Sequence, residues 1–339
     1  MEPLRLSEKT KEVDQQYHKY TAGGICPLPA VLDRAEGSKM WHSTWAPFAE
    51  ELCKRFGYDK VAAMTSGSEA ADTACKLARR WGIQVKGIPA SECLILGVSD
   101  NYHGVTGGVW NLMDPHEKRS SKTFEEEISY ARQVYDLCKK YNILFIADEV
   151  RMGAGKTGKF FSYEHLGPDV VPDIVTMGKS ITGGVYPASY VLANDNIAGQ
   201  VGILEIVSTF AFTPLGIAAS KAALKVIDEE HLLEKAQAIE KHFMEETANW
   251  SSLPYVEYAT ARGGDFNIIL KPQSPGRKIC ALAMHRGVLT LSTPDRIRMS
   301  VALTMSKSEL ATGLDILKSS LKEVDNYTEV EGEEWNGRW

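Results

Sequence analysis

Three short stretches carry residue types that could do chemistry. "DIVTMGKSITGG", Asp173 to Gly184, sets Lys179 where the apolar run Ile174-Val175 gives way to small residues and a glycine pair. "NILFIADE" ends an apolar run in Asp148 and Glu149, and "TSGSEA" places Ser66, Gly67 and Ser68 after the run "KVAAM". Each has a plain structural reading when taken alone. Ser66 or Ser68 can cap a helix N-terminus, Asp148 can do the same, and a lone lysine is most often a solvated surface residue. In combination they match what pyridoxal phosphate requires: phosphate donors at a strand-to-helix turn, one carboxylate and one amine, at successive strand ends. The lysine amine forms a Schiff base, the carboxylate keeps the pyridine nitrogen protonated so that the ring acts as electron sink, and the helix terminus grips the phosphate. Burial at a strand end would disfavour the ammonium form of Lys179, which then serves as imine former and, once displaced by substrate, as the base that moves the Cα proton.

The elements that must hold these residues alternate along the chain. "KVAAM" leads into "TSGSEAADTACKLARRWG", whose positions Ala70, Ala74, Leu77, Ala78 and Trp81 follow helical spacing, and "ECLILGV" (Glu92 to Val98) reads as a strand. "EEEISYARQVYDLCKKY" is an amphipathic helix, "NILFIADE", "PDIVTMGK" and "PASYVLAND" are short apolar runs, and the stretch from Pro214 to Trp250 is helical. Strands alternating with helices predict an α/β fold with a mostly parallel, doubly wound sheet, in which ligands gather at the carboxyl ends of the strands. From about Tyr255, "FNIILK", "GVLTLS" and "DRIRMSVAL" interleave with the helical "SKSELATGLDILKSSLKEV", a smaller α+β domain. The expected organisation is an N-terminal segment over 1–45, a large cofactor-binding domain over 46–254, a small domain over 255–325 and a polar, frayed tail over 326–339.

Composition excludes several classes. The 339 residues suffice for two domains at roughly 100 to 200 residues each. With 44% hydrophobic residues and a net charge of -6, no basic field exists for nucleic acid or anionic lipid. The six cysteines form no C-x-x-C pair, which excludes a zinc ribbon and fits free thiols in a reducing compartment. The N-terminal "MEPLRLSEKTKEVDQQYHKY" lacks the apolar core of a signal peptide, and no window approaches the roughly 18 continuous apolar residues of a membrane span. A cytoplasmic protein is expected.

The sequence resembles the class III, ornithine aminotransferase-like, pyridoxal-phosphate aminotransferases. The resemblance lies in "TSGSEAADTACKLARRWG", "LFIADEVRMGAGKTGKFF", "PDIVTMGKSITGGVYPASYVL", "STFAFTPLGIAASKAALKVI" and "KYTAGGICPLPAVLDRAEGSKMW", and runs with gaps over most of the chain. It implies a fold-type I transferase that moves an amino group between an amino acid or amine and a 2-oxo acid through a Lys179 Schiff base. By the same resemblance Asp148 is the pyridinium partner, and Ser66, Gly67 and Ser68 form the phosphate turn. Tyr102 stacks on the pyridine ring, Arg298 binds a substrate carboxylate, and Thr209 reaches the phosphate of the neighbouring subunit in a homodimer.

The departures bear on substrate. The family's glutamine is here Arg151, which can still donate to the cofactor's phenolate oxygen but adds a positive charge that should lower the imine pKa. The arginine expected shortly after the stacking aromatic is Val105, and the substrate-side tyrosine is Ile25. Two blocks are absent: one between "SKMW" and "HSTW" that lines the substrate site, and one before "EEEISYARQVYDLCKKY" that carries a strand ending in Glu-Pro. That strand is expected at the sheet edge. Two further outcomes therefore stand beside the aminotransferase: a diverged pyridoxal-phosphate enzyme of specialised metabolism, or a shortened pseudoenzyme that pairs with a partner subunit.

Overall fold

The computed structural model describes residues 12, 15, 16, 19–21, 43–99, 101–113, 123–202 and 205–333. Ile25, Cys26 and residues 334–339 of the expected tail lie outside these. The chain divides into two compact units, one over 1–118, 133–154 and 167–226, the other over 119–132, 155–166 and 227–339.

In the first unit, α1 (Trp45–Phe56) buries Trp45, Phe48, Ala49 and Leu52, a stripe at helical spacing. It stops at Gly57, whose φ of 75° is the left-handed conformation of a helix end. Then come β1 (Lys60–Met64) and α2 (Gly67–Gln84), which buries Ala70, Ala74, Leu77, Ala78 and Trp81, the residues that the spacing singles out. After α3 (Phe124–Lys140), the strands β2 (Ile146–Asp148), β3 (Ile174–Met177) and β4 (Ser189–Ala193) complete a sheet of order β1-β4-β3-β2. β1, β2 and β3 run the same way; β4, between β1 and β3, runs against them. Hence the carboxyl ends of three strands and the first residue of β4 share one end of the sheet. α4 (Pro214–Glu229) follows.

"ECLILGV" departs from expectation. Among the described residues it pairs with no strand, and β2 pairs only with β3. Leu94 and Leu96 are 75% and 83% exposed, while Cys93 is buried against Gly82. An extended segment without a neighbour has nowhere to send its amides except water, so propensity alone does not make it a strand.

The second unit holds α5 (Leu232–Thr247), β5 (Val256–Arg262), β6 (Asp265–Leu270), α6 (Gly276–His285), β7 (Leu291–Thr293), β8 (Arg296–Ser300) and α7 (Lys307–Glu323). Its sheet, β5-β6-β8-β7, is antiparallel throughout. α5 groups with this sheet although it precedes Tyr255, because Phe243 stacks on Phe266 with ring centroids 4.1 Å apart. Each such ring contributes roughly 1.5–3 kcal/mol by leaving water. Val330 is also buried in this core, so the segment expected to fray is packed at least that far.

The five described cysteines are free. Burial pushes the thiols of Cys53 and Cys280 up to about 12, which makes them packing residues rather than nucleophiles. Among the described residues no helix is long and apolar enough to cross a membrane.

Candidate active site

The turn after β1 is built around a capping box. Ser66 caps α2 by accepting the Glu69 amide at 3.2 Å, and Glu69 returns a carboxylate oxygen to the Ser66 amide at 3.1 Å. The amides of Gly67 and Ser68, the first two of the helix, have no carbonyl of their own helix to bond and carry the positive end of its dipole. Ser189, at the start of β4, fastens the turn by donating its hydroxyl to the Ser66 carbonyl at 2.7 Å.

Position 67 must be glycine for a steric reason. A Cβ there would lie 2.5 Å from Cγ1 of Val150, and one on Gly178 would lie 3.1 Å from the same carbon. The Val150 side chain is thus wedged between the phosphate turn and the residue before Lys179. Gly67→Ala should lower stability by about 1–3 kcal/mol, the range for an overpacked site. A urea midpoint equal to wild type would show the wedge to be loose.

Asp148 ends β2 directly beside Thr176 of β3. Its Oδ1 accepts the Thr176 hydroxyl at 2.8 Å and the Val150 amide at 3.1 Å, and its Oδ2 lies 2.7 Å from Nδ1 of His103. The carboxylate is fixed on both oxygens. His103 is the functional residue that sequence reasoning missed. It follows Tyr102 directly in the sequence, but its carboxylate partner lies 45 residues away, so no local pattern points to the pair.

Lys179 follows β3 after Gly178 and has a φ of 43°, the left-handed region that costs a side-chain-bearing residue roughly 1–2 kcal/mol. Such strain is held by its surroundings: the following run closes into a 3-10 turn, and the Thr182 hydroxyl donates to the Tyr186 carbonyl at 2.6 Å. Lys179, Ser180, Gly184, Val185, Tyr186 and Pro187 line a pocket of about 360 Å³. One expectation fails here. Lys179 is exposed, so burial within this chain does not desolvate its amine; the flanking strand is buried, but the lysine stands two residues beyond it.

Ser66, Gly67, Ser68, Asp148, His103 and Lys179 therefore gather at one end of the first sheet. Arg151, half-buried in the turn after Asp148, donates from Nη1 to Sδ of Met152 at 3.0 Å. Tyr102 is 63% exposed, and Thr209 is exposed next to the buried Ser208. Arg298 stands on β8 of the second unit, half-buried, opposite Asn267 and Leu291. Helix-terminal amides for a phosphate, a fixed carboxylate for a ring nitrogen and a lysine beside a pocket form a donor set that fits pyridoxal phosphate.

Comparison with known proteins agrees. The family model described as Aminotransferase class-III matches residues 37–129 and 123–321. The ornithine aminotransferase of Schizosaccharomyces pombe is 29% identical over 421 aligned positions, covering 95% of each chain. That alignment is longer than the 339 residues of this chain, so it must open gaps in it. The mitochondrial ornithine aminotransferase of Drosophila melanogaster is 31% identical over 81% of this chain and 72% of its own. Among solved structures, acetylornithine aminotransferase from Elizabethkingia anophelis superposes with a TM-score of 0.73 at 28% identity, over 94% of this chain and 86% of that one. Plasmodium falciparum ornithine delta-aminotransferase gives 0.72 at 28% identity, over 94% and 85%. Sequence, fold and donor set converge: this chain belongs to the class III pyridoxal-phosphate-dependent aminotransferases.

Proposed function

We propose that the protein is a working aminotransferase that moves an amino group between a carboxylate-bearing amino acid or amine and a 2-oxo acid, as a cytosolic homodimer with shared sites. The observation that carries this reading is the Val150 wedge between Gly67 and Gly178, which brings the phosphate turn, Asp148 and Lys179 to one place. When bound, pyridoxal phosphate supplies a carbonyl that condenses with amines and an electron-poor ring that weakens the neighbouring Cα–H bond.

The chain's own residues do the rest. Lys179 Nζ holds the cofactor covalently and moves the Cα proton. Asp148 would hold the proton of the cofactor's ring nitrogen, while His103 and Thr176 keep the carboxylate aimed. Gly67 and Ser68 would hold the phosphate, with Ser66 shaping the turn; Tyr102 would stack on the ring and Arg151 would donate to its phenolate oxygen. Thr209 reaches the neighbouring subunit's phosphate. Its surroundings support a partner, since Val207, Phe210 and Leu215 are more than half exposed, an apolar surface that a second subunit would cover. Arg298 suits a substrate carboxylate, which a guanidinium can bind with two hydrogen bonds.

Substrate choice departs from the named relatives. Val105 is exposed and apolar where an arginine is expected, and the strand that carries a Glu-Pro is absent. Ornithine should therefore be a poor substrate. The test is a panel of amino acids and amines scored by the absorbance change of the half-reaction; efficient turnover of ornithine at its δ-amine would refute this. Arg298→Ala should lower kcat/KM by a factor matching about 1.5–3 kcal/mol, the range for a charged hydrogen bond. The open, unpaired segment over 92–98 favours a second reading, a diverged enzyme with another reaction or a pseudoenzyme paired with a partner subunit. No spectral change with any amine would transfer the weight to it.

A further inference from the structure

Glu69 does more than complete a helix cap. Besides the Ser66 amide, its Oε2 accepts the Thr65 amide at 2.8 Å and the Thr65 hydroxyl. Its Oε1 accepts the Ser208 hydroxyl at 3.2 Å, from a residue 139 positions away. Ser208 is buried and also lies 3.3 Å from Thr65 Oγ1. A capping box has no use for that last bond. Three donors come from the start of the phosphate turn, and the fourth comes from the residue that precedes Thr209. Thr209 and Phe210, the next two residues, are exposed, so the Glu69 carboxylate anchors the buried residue directly before them.

We propose that Glu69 is a positioning residue that couples the phosphate turn of its own subunit to the Thr209 segment that serves the neighbouring subunit's cofactor. The proposal rests on the shared-site homodimer set out above. Four donors require an acceptor-only group, which an ionised carboxylate is and an amide is not. Burial pulls the Glu69 carboxyl upward, but bonds from Thr65, Ser208 and Ser66 outweigh it and hold the group below its ordinary range, so it is ionised at neutral pH. In Glu69→Gln one oxygen becomes an NH2 that faces other donors, and either the turn or Ser208 loses its anchor.

Mixed dimers test the coupling. One subunit carries Lys179→Ala and cannot hold the cofactor covalently; the other keeps Lys179. Glu69→Gln is placed on either subunit. The affinity of the single covalent site for pyridoxal phosphate is read by absorbance titration, with the borohydride-fixed adduct located by mass spectrometry. Coupling predicts a loss of about 10-fold in both placements, since each removes one bond network that holds the phosphate. Ser208→Ala on the Lys179→Ala subunit should give a loss of the same order; it removes one hydroxyl and guards against a Glu69 variant that fails to fold. A loss confined to Glu69→Gln on the Lys179 subunit, with no effect of Ser208→Ala across the dimer, overturns the proposal and leaves Glu69 a local cap. Failure of the underlying reading looks different: the wild-type chain would be a monomer by light scattering, or would carry no adduct at Lys179.

Discussion

Lys179→Ala should abolish covalent attachment of pyridoxal phosphate while leaving the fold close to wild type. Both halves follow from where the lysine stands. Alanine has no amine to form the covalent bond, so no weakened form of attachment at this position remains. The side chain is exposed and fills no core, and alanine meets the same left-handed backbone that lysine already tolerates at a φ of 43°. The stability change should therefore stay within about 0.5 kcal/mol, as for ordinary surface substitutions. The measurement is borohydride reduction followed by peptide mass mapping, with a urea midpoint beside it. An adduct of undiminished yield on another residue would remove Lys179 from its assigned role.

Asp148→Asn should leave the cofactor bound but slow Cα-proton exchange by orders of magnitude. The asparagine oxygen can still accept from Thr176 and the Val150 amide, so the side chain keeps its place. What it lacks is the negative charge that holds a proton on the ring nitrogen. It also turns an NH2 toward His103 or the ring, where the carboxylate offered an oxygen. Breaking a buried charge pair costs about 3–5 kcal/mol, which is roughly 10²- to 10⁴-fold in rate. Exchange of the Cα proton of a bound amino acid with solvent deuterium reads that step directly, and a wild-type rate would show that Asp148 serves the fold alone.

The parts of the site that were legible in the sequence are those that a strand end dictates. Ser66, Asp148 and Lys179 each follow an apolar run, and a parallel set of strands must deliver such residues to one end of the sheet. α2 was legible for a similar reason, since Ala70, Ala74, Leu77, Ala78 and Trp81 form one buried stripe. What escaped depends on contacts between distant segments. The pairing of His103 with Asp148 spans 45 residues, and no local pattern announces it. The reversed direction of β4 is equally silent, because a run buried along its whole length looks the same in either sense. "ECLILGV" misled because a short apolar run with β-branched residues describes a strand's side chains, whereas the strand exists only if a neighbour takes its hydrogen bonds. The exposure of Lys179 escaped because a lysine at a strand end and one two residues past it read alike.

The reversal of β4 also governs the freedom of the reactive amine. β3 and β4 are adjacent, with Met177 opposite Tyr190, so the run from Gly178 to Ala188 leaves and re-enters the sheet about 4.8 Å apart. The run is a closed loop on a rigid base, not a connection that wanders to a distant strand. Its closure entropy is settled when the sheet forms, and a loop this short has little left to lose. Lys179, second in the run, therefore meets a carbonyl with its backbone already ordered, and the encounter costs only the rotamers of one side chain. The effective concentration of the amine at its pocket is set by folding rather than by binding.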